Sequence, residues 1–191
     1  MKNFIALLAT ILFYTVSFAQ DKPAPINRSN PGPTEERLTE SDKFLKRAGT
    51  LIEKRFYYIG KTRAIAFEVI KLKDLNSNDY YSALSLESKD ITGLREGKAV
   101  LDEDEVDGFL KTLKLLQSVV KTQRDTYSEV TYKSRGYFTA GAYYDEKRLR
   151  WKPFVQLLNY SDKTWIPIDD TVIGEMIVLV ENAKIEMKKE M

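Results

Sequence analysis

Hydrophobic and polar positions alternate with a period of two over much of the chain, and this pattern predicts short β-strands. The segment 63–73 places Ile65, Phe67 and Val69 on one face, and its other face is also partly apolar. A strand with this pattern is buried on at least one side. The same reasoning predicts strands at 80–88, 97–101, 127–133, 137–144, 148–158 and 164–168.

Three other segments show the three- and four-residue spacing of an amphipathic helix. A capping box over 39–42 begins the first segment and predicts a short helix over about 40–55. Asp102 and Asp169 stand just before the other two helices. We expect both to be N-caps, because a side-chain oxygen there accepts a hydrogen bond from the free N–H groups of the first turn.

The predicted strands and helices form a run of strands closed by a capped helix, and this order occurs twice. The apolar positions of the second helix have counterparts 67 residues later in the third. We therefore predict an α+β fold with a bent or doubled antiparallel sheet, built from two ββββα-like units over 55–121 and 122–191, and a short N-terminal helix. Arg55–Ile59 is an additional strand or the end of the first helix, and the pattern leaves both open. The expected core consists of Phe67, Val69, Leu84, Phe109, Leu113, Phe154, Val155, Ile177 and Val180.

The N-terminus has the layout of a secretory signal peptide. A positive start is followed by the apolar run 4–16 and by the small residues Ser17 and Ala19, which predicts a signal peptide over 1–19. The run is shorter than the about 20 residues that cross a bilayer, so no transmembrane segment is expected after cleavage. Four prolines predict a flexible leader over 20–38, and a single α+β domain is expected over 39–191.

Composition narrows the chemistry and the location. The chain has no cysteine and no histidine, so it lacks disulfides, a thiol nucleophile and the commonest general base and metal ligand. We therefore predict no catalytic residues, no metal site and no cofactor. An exported chain without disulfides fits a bacterial periplasm or the cell exterior. The net charge of +2 is small, so nucleic acid is an unlikely partner.

The segment 97–101, Gly-Lys-Ala-Val-Leu, resembles the Gly-Lys-Ala-Ala-Leu core of the Whirly motif. The layout of about 55–188 also resembles the tandem ββββα repeats of the Whirly and PUR families of single-strand nucleic-acid binders. This resemblance implies a fold. The nucleic-acid role is not transferred, because those families act inside cells or organelles and this chain is nearly neutral and expected to be exported.

One predicted strand carries a candidate binding site. Arg148, Arg150 and Lys152 alternate with apolar residues and are therefore expected to share one strand face. With a ring from Trp151 or Tyr143, this face would bind a small anion, such as a phosphorylated lipid head group or an acidic glycan. The alternative is a structural role, in which the charges prevent edge-to-edge pairing of the sheet.

These observations predict an exported, non-enzymatic binding or structural module. Its partner would be an anionic lipid or glycan of the cell envelope, or another envelope protein. One alternative is a carboxylate-based cell-envelope hydrolase, which would need two acidic groups in a deep cleft. The other is a single-stranded nucleic-acid binder of Whirly or PUR type. A shallow aromatic or basic face would favour the binding module.

Overall fold

The computed structural model describes residues 38–89, 95–158 and 164–190. The predicted signal peptide and nearly all of the leader lie outside these ranges. The first antiparallel sheet contains, in chain order, β1 (Ile52–Lys61), β2 (Ile65–Asp74), β3 (Tyr80–Lys89) and β4 (Arg95–Asp102). The second contains β5 (Glu129–Lys133), β6 (Thr139–Asp145), β7 (Arg150–Gln156) and β8 (Trp165–Pro167). The helices are α1 (Glu40–Leu45), α2 (Glu103–Val119) and α3 (Asp170–Met187).

The predicted α+β fold is confirmed, since a helix follows each of the two four-stranded sheets. The first residues of α2 and α3, Glu103 and Asp170, are 67 positions apart, which equals the offset read from the sequence. The strands of the second unit are shorter than those of the first. That the two units are an internal repeat stays a prediction.

The N-terminal helix is shorter than predicted. Its capping box is present, because the Thr39 hydroxyl accepts a hydrogen bond from the Asp42 N–H at 3.0 Å. However, α1 ends at Leu45, and the helix predicted over 40–55 is wrong beyond that residue. Gly49 has a φ of 74°, a left-handed conformation that suits glycine and that a helix cannot continue through. The ambiguous segment 55–59 is part of β1.

One buried cluster joins the two units. The inner faces of both sheets supply it, as in the pair Val69 and Leu84 across β2 and β3. The α3 helix packs on β1 and β2, whereas α2 contacts β3 and β4 and also reaches β5 and β6. The two helices also contact each other. This arrangement lets each helix cover apolar strand faces that would otherwise be exposed to water.

Most of the predicted core residues are buried in this cluster, with two exceptions. Ile177 is partly buried at its margin. Phe154 is buried, but it lies on the outer face of the second sheet, because side chains alternate along β7 and Val155 takes the inner face. Its ring stacks on that of Trp165 at 5.7 Å.

The two N-cap aspartates use their carboxylates differently. Asp169 caps α3 as predicted, accepting a hydrogen bond from the Val172 N–H at 2.9 Å. Asp102 is the N-cap residue of α2, but its fully buried carboxylate accepts from the Glu40 N–H at 2.7 Å, at the start of α1. It also accepts from the Arg135 guanidinium at 2.8 Å. Asp102 therefore connects three separate segments of the chain.

Candidate functional site

The predicted basic strand lies on β7, and its outer face is charged. The register between β6 and β7 places Lys152 beside Tyr143 and Arg150 beside Asp145. The Lys152 Nζ lies 2.6 Å from a carboxylate oxygen of Asp145 and 5.6 Å from the centre of the Tyr143 ring. The hydrogen bond from Lys152 holds the pKa of Asp145 below its ordinary value. Lys152 is therefore partly neutralised by an acid that stays ionised.

Arg148 lies in the turn before β7, so only Arg150 and Lys152 of the three predicted cations belong to the strand. β7 begins at Arg150, and the residues 146–149 form the turn that precedes it. The Arg148 side chain is exposed, and its guanidinium lies 3.9 Å from Asp145. A turn interrupts the two-residue alternation of a strand, so the spacing in the sequence does not place Arg148 with Arg150 and Lys152.

Trp151 points to the opposite side of the sheet. It is only 5% exposed, belongs to the core and lies 5.5 Å from the Tyr144 ring. Its indole N–H donates to the backbone oxygen of Thr122 at 3.1 Å. Of the two rings proposed to support the basic face, only Tyr143 lies on it.

Three aromatic rings cross the outer face of the second sheet in a row. The centre of the Phe154 ring lies 6.4 Å from that of Tyr143 and 5.7 Å from that of Trp165. The rings of Phe154 and Trp165 are nearly parallel, at 24°. Tyr143 and Trp165 are half-buried, so each retains some surface in contact with solvent.

The short β8 leaves part of the β7 edge uncovered. β8 pairs only with 154–156, and the next opposed residues along the chain are Pro153 and Ile168. The Ile168 N–H donates to the Pro153 carbonyl at 3.1 Å, but proline has no N–H with which to return the bond. A groove of about 530 Å³ lies along the uncovered edge. Its lining consists of Val120, Lys121, Arg150, Trp151, Lys152, Pro153, Trp165, Pro167, Ile168, Asp169 and Asp170.

The cations of this groove differ in how strongly they are neutralised. Lys121 lies 3.6 Å from Asp170, and Lys152 is paired with Asp145. Arg150 is exposed and forms no ion pair with any residue in the described ranges. The groove therefore presents one guanidinium free to bind an anion, with two partly neutralised lysines beside it.

Sequence patterns did not identify several residues of the groove. Lys121 follows α2, and Trp165 belongs to β8, so both are distant from β7 in sequence. Trp165 lies in a predicted strand, but the sequence does not reveal that it pairs with Gln156 of β7, because this pairing depends on the strand register. No local signal in the sequence brings these elements together.

Residues 38–89, 95–158 and 164–190 contain neither a metal-binding cluster nor a membrane-spanning helix. Histidine, cysteine, aspartate and glutamate side chains do not form a group of three or more suited to a metal ion there. None of the helices in that part is both long enough and apolar enough to span a membrane.

The chain matches no protein-family model, no curated protein and no solved structure.

Proposed function

We propose that the chain is an exported, non-enzymatic binding module that holds an acidic glycan in the groove along the β7 edge. The observation that carries this proposal is the exposed Arg150 guanidinium, which lacks an acidic partner among the described residues and faces a groove of about 530 Å³. A guanidinium binds a carboxylate or sulfate group through two parallel hydrogen bonds.

The apolar part of the groove supports a glycan as the ligand. Trp165, Pro153 and Pro167 supply flat apolar surfaces next to the cations. A sugar ring presents C–H groups on its faces, and these groups pack on an aromatic ring, whose polar tip can remain in water. An acidic sugar would place its ring on these surfaces and its acidic group on Arg150.

The acidic residues of the groove have structural partners, which favours binding over hydrolysis. Asp169 accepts the capping hydrogen bond of α3, and Asp170 lies beside Lys121. A hydrolase of the carboxylate type needs one carboxyl group that can donate a proton near neutral pH. Asp169 and Asp170 are instead exposed at the surface and already bonded to other groups, and a deep cleft does not enclose them.

Export is proposed from the sequence of residues 1–19. N-terminal sequencing or the intact mass of material recovered outside the cytoplasm tests it, with Gln20 expected as the first residue. A chain that retains Met1 would contradict export and leave the groove proposal standing.

The groove proposal is tested by titrating the protein with polygalacturonate, a polymer of acidic sugars. Arg150→Ser is expected to weaken binding by about tenfold or more, because charge-assisted hydrogen bonds contribute about 1.5–3 kcal/mol. Arg148→Ser is the matched control, since it removes an equally charged side chain two residues away that contacts Asp145 but is not part of the groove lining. Both variants are expected to keep the free energy of unfolding within about 0.5 kcal/mol of the wild type.

Other probes distinguish the alternatives. Binding to vesicles containing phosphatidylglycerol, without binding to the polysaccharide, would assign the groove to a lipid head group. Tighter binding of a single-stranded oligonucleotide would favour the nucleic-acid alternative. Equal binding of a neutral polysaccharide, or an equal loss in Arg148→Ser and Arg150→Ser, would contradict the role of Arg150.

A further inference from the structure

β1 is an edge strand that exposes two aromatic side chains beside the cations Lys54, Arg55 and Lys61. It is ten residues long and pairs on one side with β2, and no described strand pairs with its other side. On its outer face, Phe56 is 55% exposed and Tyr58 is 64% exposed. Long edge strands with exposed apolar side chains tend to pair with another strand, and proteins usually shield them.

The positions of the free backbone groups follow from the register. The Leu75 N–H donates to the Leu51 carbonyl at 2.8 Å, so the backbone groups of Leu51 point towards β2. Successive residues of an antiparallel pair alternate in direction. The N–H and C=O groups of Ile52, Lys54, Phe56 and Tyr58 therefore point away from the sheet. A register shift between Tyr58 and Gly60 interrupts this row.

We infer that a second copy of the chain pairs antiparallel with β1 about a two-fold axis at Phe56. Phe56 then faces Phe56 of the second copy, and Lys54 faces its Tyr58 on each side of the axis. Three directly opposed pairs would exchange six backbone hydrogen bonds, all of them before the irregularity. The two sheets would join into one eight-stranded sheet. This inference does not depend on the proposed glycan site.

The side chains favour this register over its neighbours. Centring the pair on Arg55 would place two arginines opposite each other, and directly opposed like charges are destabilising. Centring it on Tyr57 would bring Lys54 opposite Gly60, where the register of β1 is shifted. With Phe56 at the centre, two aromatic rings meet, and each Lys54 ammonium lies near a Tyr58 ring, a favourable cation–π arrangement.

A second copy is a better occupant of this edge than the chain's own leader. The segment 20–38 contains four prolines, at positions 23, 25, 31 and 33. Proline fixes φ near −65°, away from the value of about −140° in an antiparallel strand, and it is depleted in strands, so this segment is a poor strand former. The edge strand of a second copy carries no proline between positions 52 and 61 and has the same spacing of free groups.

Single cysteines test the register directly, because the chain contains none of its own. Phe56→Cys is expected to form a disulfide-linked dimer under mild oxidation, since opposed Cα atoms lie about 5.5 Å apart. Lys54→Cys alone is the matched control, because its two copies would be about 14 Å apart along the strands. A mixture of Lys54→Cys and Tyr58→Cys chains is expected to cross-link, whereas neither variant does so alone.

Sedimentation tests the dimer without cross-linking. The complete gene is expressed, and the protein is used in the form that the cell produces from it. The wild type is expected to associate within a concentration range of about 1 µM to 1 mM. Phe56→Lys is expected to abolish this association, because two like charges would meet on the axis. Ile185→Lys, at an equally exposed apolar position on α3, is expected to leave it unchanged.

Several results would overturn the inference. A wild type that stays monomeric over this range would do so, as would cross-linking of Arg55→Cys with itself in place of Phe56→Cys. Association that appears only after 20–37 is removed would assign the edge to the leader. Circular dichroism of each variant verifies that it is folded, so a lost dimer is not mistaken for a lost fold.

Discussion

The two ββββα units share an order of elements and differ at their last strand. In the first unit, β4 runs from Arg95 to Asp102 and stays paired with β3 up to the residue that caps α2. In the second unit, β8 has only three residues and ends at Pro167, two residues before the cap of α3. The candidate groove lies in the gap that this short strand leaves. The same order of elements therefore gives a last strand that is paired along its length in the first unit and an uncovered stretch of strand edge in the second.

The same contrast appears in the two N-cap aspartates. Asp102 is buried at the end of a complete strand, where it binds α1 and Arg135. Asp169 follows an incomplete strand and lies partly open to solvent beside the groove. Asp102 thus has a structural role at the end of a fully paired strand. Asp169, 67 positions later, borders the candidate site at the end of a short strand.

The largest expected effect distinguishes these two aspartates. Asp102→Ala is expected to lower the free energy of unfolding by about 3 kcal/mol, because it leaves the Glu40 and Ser41 N–H groups without their acceptor and removes the buried acid that Arg135 contacts, although Arg135 keeps Asp104. Asp169→Ala removes a helix cap and an exposed ion pair with Arg63 and is expected to cost about 1 kcal/mol, nearly all of it from the cap. Urea denaturation measures both values. Equal losses would contradict the difference between the two caps.

The second prediction closes the groove. Pro153→Val restores an N–H that can donate to the Ile168 carbonyl, so β8 is expected to extend by one residue pair. Stability should rise by about 1 kcal/mol, the usual net contribution of one hydrogen bond. Binding of polygalacturonate should weaken at least about threefold, since the edge becomes partly covered. Pro167→Val is the control for the loss of a proline ring from the groove, and a loss of binding in Pro153→Val no larger than in this control would contradict the role of the open edge.

The third prediction concerns the acid that neutralises Lys152. Asp145→Asn is expected to strengthen binding of dextran sulfate by roughly two- to fivefold, because Lys152 becomes free to contact the anion. Lowering the pH should also strengthen binding by the wild type, because protonation of Asp145 releases Lys152.

The same titration affects the stability of the fold. Since the pKa of Asp145 is lowered in the folded chain, its contribution to stability is present above the ordinary aspartate range and is lost as the pH falls through the lowered value.

Fluorescence titration of the wild type and Asp145→Asn over a pH series measures this coupling. The sulfate groups stay ionised throughout, so any change in affinity reports on the protein. If acidification strengthens binding equally in both proteins, Asp145 is not the group responsible.

The smallest effect is expected in the turn that precedes β7. Leu149 has a φ of 50°, a left-handed conformation that a leucine adopts only with strain. Asn78 takes a similar conformation, with a φ of 66°, in the turn between β2 and β3, and asparagine tolerates it better. Leu149→Asn is therefore expected to stabilise the fold by about 0.5–1 kcal/mol in thermal unfolding. Leu115→Asn, at an exposed helical position, should give no such gain.

Local patterns predicted most of the fold for a clear reason. The alternation along 63–73 and the caps at Asp102 and Asp169 are short-range properties, because each depends on neighbours within a few residues. The error over 40–55 came from apolar residues at 51 and 52, whose spacing fits a helix as well as the start of a strand. Gly49 stands between them and α1, and its left-handed conformation becomes visible only in the structure.

The sequence by itself determined the α+β class, the order of the elements, and the absence of cysteine and histidine chemistry. It also placed Arg150 and Lys152 on one face, since these residues lie within one strand. Only the tertiary structure decided that the face carrying Trp151 packs in the core, and that Lys121 and Trp165 border the same groove. These facts depend on strand register and on packing between segments far apart in the chain, and neither is encoded in the spacing of nearby residues.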